Sequence, residues 1–207
     1  PRWFTVPGGA RQYVEKLLEP IPNKYLNSAI TRILPGDAHN RPRLCSADGE
    51  FAFDQIVLAC HSDQALALLA DASESERAIL GAIPYQSNDV VLHTDATLLP
   101  RLPKAWAAWN AFVPRAPASP CTVSYCMNLL QGLDAPEPLV VTLNRTDAID
   151  PDRVLKRMRY HHPVYTHASV AAQARKAEIQ GRRRTWFAGA YWGWGFHEDG
   201  MRSAVDV

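Results

Sequence analysis

The stretch TWFAGAYWGWGFHEDGMRSAV, Thr185 to Val205, decides how this chain is read. Thr185-Trp186-Phe187-Ala188-Gly189 is a short apolar strand that ends in glycine. Gly193 and Gly195 then let the chain turn sharply and leave its amides bare. A helix starts near His197, with Glu198 and Asp199 in its first turn, where acidic side chains complement the helix dipole. A strand running through a glycine-rich turn into a helix N-terminus is an anion- or carbonyl-binding device, because the free amides point outward. The same pattern also serves as a plain helix cap whose turn needs glycine. Both readings stand at this level.

Upstream, THASVAAQARKAEIQG is rich in helix formers and stops at Gly181. The basic run GRRRTW after it reads as a solvated helix end followed by a turn. DVVLHTD, AWAAWNAFV, CTVSYCMN and LVVTLN have the length and β-branched or aromatic content of strands in one sheet. VLKRMRYHH fits either a helix opened by Asp150-Pro151 or an extended segment ending at Pro163. In the first third, a helix is expected from Ala10 to Glu19 and a strand from Leu26 to Leu34. A hairpin turns at Ala47-Asp48-Gly49, and QIVLAC reads as a strand buried on both faces. Two helices follow, one capped by Ser62 or Asp63 and one opened by the capping box Ser73-x-x-Glu76. The composite is α+β (mixed α/β).

The 207 residues are 47% apolar and 21% charged, enough for a packed core and against disorder. A net charge of +1 and the absence of an RRM-type signature give no reason to expect nucleic acid. No stretch approaches the ~20 apolar residues of a membrane span. Cys45, Cys60, Cys121 and Cys126 form no CxxC pair, so reduced thiols in a bacterial-type cytoplasm are expected, with Cys60 buried.

WFAGAYWGWGFHEDGMRSAV resembles the C-terminal flavin-binding motif of the flavin-containing amine oxidoreductase superfamily. FTVPGGARQYVEKLLEP is similar to that family's Gly-Gly segment leading into a mid-chain helix, and FDQIVLACHSDQALALL to its strand-alanine-helix element. The order of pieces matches over nearly the whole chain. Together with YCMNLLQGL, VVTLNR and YHHPVYT, it resembles most the bacterial subgroup called predicted NAD/FAD-binding proteins.

The resemblance implies a fragment of a two-domain FAD-binding fold. Residues 1–62 would be flavin-side strands and helix, 63–180 a substrate-binding sheet with helices, and 181–207 the closing flavin-contact strand and helix. Gly189 and Ala190 would pass close to the pyrophosphate and ribityl chain of FAD. The amides around Glu198, Asp199, Gly200 and Met201 would face the flavin pyrimidine edge. Ala29 or Ile30 would lie beside the adenine, and Trp192, Trp194 and Phe196 would form an aromatic wall on the substrate side. The implied activity is hydride removal from a C–N or C–C bond of an amine or an apolar, lipid-like substrate. The other reading keeps the fold as a binding or assembly module with a vestigial flavin site.

Ala190 stands where many members carry an acidic or hydroxyl residue, and no active-site lysine or paired amine-cage aromatics are assignable. G-x-G-x-x-G with an acidic residue ~20 positions on is absent from these residues. The chain begins at PRWFTVPGG in mid-pattern, so the expectation is the later part of a longer protein. Such a piece lacks the Rossmann portion, binds FAD weakly or not at all, and exposes apolar surface near its last helix that favours self-association.

Other constellations carry less. His161 and His162 point to opposite faces of a strand, so no metal site is expected from them with His167; one is expected in the interior and the other at the substrate cavity. His197-Glu198-Asp199 suggests acid–base chemistry, yet the acidic pair at a helix start has a sufficient structural explanation. Cys60-His61 are too close in sequence for a catalytic dyad, and no G-x-S-x-G occurs. Trp106 and Trp109 read as a half-buried aromatic patch.

Overall fold

A computed structural model describes residues 4–114 and 121–207. It mixes helix and sheet, and the described chain forms two compact units. One holds the residues up to Lys24 with Ser87–His161; the other holds Tyr25–Gln86 with His162–Val207.

In the first unit, positive φ at Gly8 (79°) and Gly9 (83°) turns the chain into α1, Arg11–Leu18. The unit's sheet is built from β5 (Tyr85–His93), β6 (Trp109–Phe112), β7 (Thr122–Cys126), β8 (Val140–Leu143) and β9 (Val154–Pro163) in the order β6-β7-β8-β5-β9. The ambiguous segment at 154–163 is therefore a strand, and a single 3-10 turn at Pro151–Arg153 precedes it. The central strands β5, β7 and β8 bury a polar row. His93 Nε2 lies 2.8 Å from Thr142 Oγ1, which lies 2.8 Å from Ser124 Oγ. The Asp95 amide donates to His93 Nδ1 at 3.1 Å, and burial pushes the imidazole pKa down.

The second unit contains a three-stranded antiparallel sheet, β1 (Ile30–Leu34), β2 (Arg43–Ser46) and β3 (Gly49–Ala52). It also contains a parallel pair, β4 (Ile56–Leu58) beside β10 (Thr185–Phe187). The helices are α2 (Ser62–Leu68), α3 (Glu74–Leu80), α5 (His167–Gln173) and α6 (His197–Val205); the remaining helix, α4 (Met127–Gln131), follows β7 in the first unit. Ile33, Leu58, Leu69, Ile79, Leu80, Ile179 and Phe187 share one core. The helices at 62–80 and 167–173 bury their apolar faces with β1, β4 and β10.

Several local expectations are corrected. β1 starts at Ile30, because Asn27 (φ 58°) turns the chain beforehand. β4 is buried on one face only: Ile56 and Leu58 are interior while Val57 is 50% exposed. Cys60 is half-buried rather than interior. The residue before α2 is His61, and Ser62 is engaged elsewhere. The helix expected up to Gln180 ends at Gln173 and continues as a 3-10 turn at Lys176–Glu178 before Gly181 (φ 67°). The Ser73–Glu76 capping box is present, with bonds of 2.6 and 3.2 Å. The arginine run is not simply solvated. Arg183 pairs with the buried Glu76 carboxylate and donates to the Asp71 carbonyl at 2.7 Å.

Candidate functional site

β10 delivers the chain to the motif that opened the sequence. Its register with β4 pairs Phe187 with Leu58, and the Ala188 amide extends the pairing to the Leu58 carbonyl at 3.0 Å. A 3-10 turn at Ala190–Trp192 and a loop then lead into α6.

Three of the four glycines answer to the protein's own packing. A Cβ on Gly189 would sit 2.3 Å from the Tyr191 ring, which folds back over it. A Cβ on Gly193 would sit 2.4 Å from Asp199 Cγ and Oδ1. Gly195 takes φ 88°, a left-handed conformation that L side chains avoid. Gly200 differs: a Cβ there would meet nothing closer than Ala190 at 3.9 Å. An internal helical glycine costs roughly 1 kcal/mol against alanine, and here the fold gives no return for it. The consequence is a bare stretch of α6 beside the half-exposed Ala190.

Asp199 points inward. Its Oδ2 accepts from the Trp194 and Phe196 amides at 2.9 and 3.0 Å, capping α6 from within. Gly189 donates to Ser203 Oγ at 2.8 Å, and the Gly193 and Gly195 amides donate to the Ala190 carbonyl. Asp199 and Gly200 amides bond to the Phe196 carbonyl. Gln173 of α5 clamps the loop by donating to the Tyr191 and Gly193 carbonyls at 2.9 and 2.8 Å. The loop is thus not the row of bare amides that the glycine pattern suggests.

Of the residues singled out by sequence, Gly189, Ala190, Trp192, Trp194, Phe196, Glu198, Asp199, Gly200 and Met201 all lie in this one element. Trp192 packs against the core and donates its indole N–H to the Phe187 carbonyl at 3.0 Å. Trp194 is 61% exposed and leans on Tyr165, with ring centroids 5.2 Å apart. Phe196, Glu198 and Met201 are exposed. Ala29 is exposed just before β1 and Ile30 opens it. His161 and His162 are both exposed, which corrects the expectation that one is interior. Among the described residues no group of three or more His, Cys, Asp or Glu could hold a metal, and no helix is long and apolar enough to cross a membrane.

The open backbone at Gly200 would admit a flat ring edge, while the glycine-loop amides are taken up within the chain. Gly200 and Ala190 leave room beside the positive end of α6, and Trp194 and Phe196 offer apolar faces. The Gly189, Gly193, Gly195, Asp199 and Gly200 amides are already engaged within the chain.

No protein-family model and no curated protein matches the sequence. Solved structures do. A CLA-producing fatty acid isomerase from P. acnes matches with TM-score 0.60 at 18% identity over 96% of this chain and 51% of that one. The cyclohexylamine oxidase of Brevibacterium oxydans IH-35A matches with TM-score 0.59 at 13% identity, over 96% and 51%. A putrescine oxidase redesigned in its cofactor binding matches with TM-score 0.61 at 8% identity, over 96% and 52%. The chain has the amine oxidase-like fold, and it spans about half the length of the chains it matches.

The sequence reading missed Tyr85, Ser62 and Gln173, and the inward role of Asp199. Ser62 donates from its amide and hydroxyl to the Tyr85 hydroxyl at 3.0 and 3.3 Å. The pair is 23 residues apart, and no periodicity marks it.

Proposed function

We propose that this chain belongs to an FAD-dependent oxidoreductase of the amine oxidase-like kind, acting on an amine or on an apolar, lipid-like substrate. It supplies the substrate-side sheet and the closing flavin-contact strand and helix. The observation that carries the reading is Gly200, a helical glycine that the internal packing does not require, in a fold shared with amine oxidase-like enzymes. Gly189 and Ala190 would pass along the cofactor and Ala29 or Ile30 would lie beside its adenine. The helix around Glu198, Asp199, Gly200 and Met201 would meet the flavin ring edge. Trp192 would back that contact from the core side, and Trp194 and Phe196 would border the substrate. The bound flavin would accept the hydride; the protein's part is to orient the ring and favour negative charge at its pyrimidine edge through the helix dipole. A Rossmann portion with the phosphate cradle, a small-molecule substrate and a cytoplasmic location belong to the same proposal, as does self-association of the chain when that portion is missing.

A second reading is favoured by the engaged amides of the loop: a non-catalytic binding or assembly module with a vestigial flavin site. Visible absorption of the complete protein, with and without added FAD, separates the two. A flavin band that bleaches with an amine or lipid donor supports the enzyme. A folded, colourless protein that takes up no FAD leaves the module. Gly200→Ala sharpens the result, since it should keep or raise stability by up to roughly 1 kcal/mol while weakening FAD binding.

A further inference from the structure

Two phenols lie behind the glycine loop, and one of them has a proton with no acceptor. Tyr191 is only 4% exposed, and its hydroxyl has no hydrogen-bond partner. The Trp192 indole N–H beside it is donated to the Phe187 carbonyl, and an N–H cannot accept the phenol proton in any case. Tyr85 is the converse case. Its oxygen accepts the Ser62 amide at 3.0 Å and lies 3.3 Å from the Ser62 hydroxyl; with that hydroxyl as the donor, the phenol proton is left for another acceptor. His61 stacks on the Tyr85 ring at 4.5 Å and fixes its plane. Burial pushes the pKa of both phenols up, with Tyr85 and Cys60 adding to it at Tyr191 and Asp63 and Cys60 adding to it at Tyr85. Neutral phenols at physiological pH are donors, and a thiol is a poor acceptor.

Native interiors rarely leave a buried hydroxyl unsatisfied, and each instance asks for an explanation. The position suggests one. Cys60 and His61 follow β4, and Tyr191 follows β10, so the phenols gather beyond the carboxyl ends of a parallel strand pair, where ligands of α/β folds bind. An oxygen with lone pairs would satisfy the unplaced phenol proton. We propose that Tyr191 and Tyr85 form a hydrogen-bond-donor site for an oxygen acceptor on a small-molecule ligand. The acceptor is either an oxygen of the cofactor or a carboxylate or carbonyl of the substrate. The site is defined by the protein's own hydrogen bonds and extends the flavin reading to a group outside the residues assigned to it.

The test is Tyr191→Phe in the complete protein, with melting temperature and binding measured together. Removing an unsatisfied buried hydroxyl should raise the melting temperature of the ligand-free protein by about 3 °C. It should also weaken ligand binding about tenfold or more. Tyr85→Phe should lower the melting temperature, because Ser62 loses its acceptor. Opposite signs at the two phenols are the expected signature. FAD and decanoate are the two probes: a loss for FAD assigns the acceptor to the cofactor, and a loss for decanoate assigns it to a substrate carboxylate. The proposal is overturned if Tyr191→Phe lowers the melting temperature, which would reveal a structural partner. It is equally overturned if neither probe binds the parent protein, or if both bind the variant as tightly as the parent. Tight FAD binding that ignores Tyr191 would sink this proposal and leave the flavin reading intact. Decanoate binding that depends on Tyr191 in a protein that takes no FAD would do the reverse.

Discussion

β10 is entered through arginines and left through glycines, and the two loops solve the same backbone problem differently. On entry, Gly181 (φ 67°) is followed by Arg183 (φ 51°) and Arg184 (φ 58°), both non-glycine residues in the left-handed region. On exit, the left-handed position is Gly195 (φ 88°). Glycine adopts such a conformation at no steric cost, whereas an arginine there costs on the order of 1–3 kcal/mol and persists only when its surroundings hold it. Arg183 is held by Glu76 and by the Asp71 carbonyl, and its own carbonyl accepts the Gly36 amide at 3.0 Å. The exit loop is built for close packing; the entry loop is held from outside.

That difference sets the first prediction. Arg183→Ala should destabilise the chain by about 3 kcal/mol, because it leaves the Glu76 carboxylate buried without its partner. Arg183→Gly loses the same partner but relieves the backbone, so it should be milder by about 1 kcal/mol. Urea unfolding midpoints of the two variants, at unchanged slope, check both. Equal losses would mean that the left-handed backbone stores no strain at this position.

On the exit side, Gly193→Ala forces a methyl group against the Asp199 carboxylate that caps α6. The expected loss is about 2 kcal/mol, from overpacking and a disturbed cap together. Gly195→Ala has only backbone conformation and the flexible Tyr165 hydroxyl, 2.9 Å from its Cβ, to contend with. Its loss should be about 1 kcal/mol. If the order of these two is reversed in the same unfolding measurement, Asp199 gives way easily and does not fix the loop.

The contrast also explains what could be read in advance. The strand, the glycine turn and the helix at 185–205 were legible, because glycine, an apolar run and Glu198-Asp199 each leave a local signature. So were the Ser73–Glu76 capping box and the Asp48-Gly49 hairpin turn. The arginine loop was not, since the groups that hold it, the Asp71 carbonyl and the Glu76 carboxylate, lie more than 100 residues away in sequence. The glycines were assigned correctly as a turn, but sequence cannot tell a glycine needed by Tyr191 or Asp199 from one left bare for a ligand. Only the positions of those side chains separate Gly189 and Gly193 from Gly200. The Ser62–Tyr85 contact was illegible for the same reason, its members lying on segments that meet only in the fold.

The smallest effect expected concerns the neighbour that holds the entry loop by its carbonyl. Asp37 follows Gly36, and its carboxylate accepts from the His39 and Asn40 amides at 2.7 Å each and from the Asn40 side chain at 2.8 Å. The Asn40 side-chain bond, with the two amides behind it, holds the Asp37 pKa down at about 2. An unfolded aspartate titrates near 3.9. The folded pKa is the lower one, so the turn's contribution is complete above about pH 4 and is lost as pH falls toward 2. Over that window the Gly36 amide, bonded to the Arg183 carbonyl, should lose protection from hydrogen exchange. Asp37→Ala should abolish the pH dependence and leave the amide weakly protected throughout. If protection of Gly36 is unchanged down to pH 2, the Asp37 turn and the arginine loop are independent, and Glu76 and Asp71 hold Arg183 without help from this side.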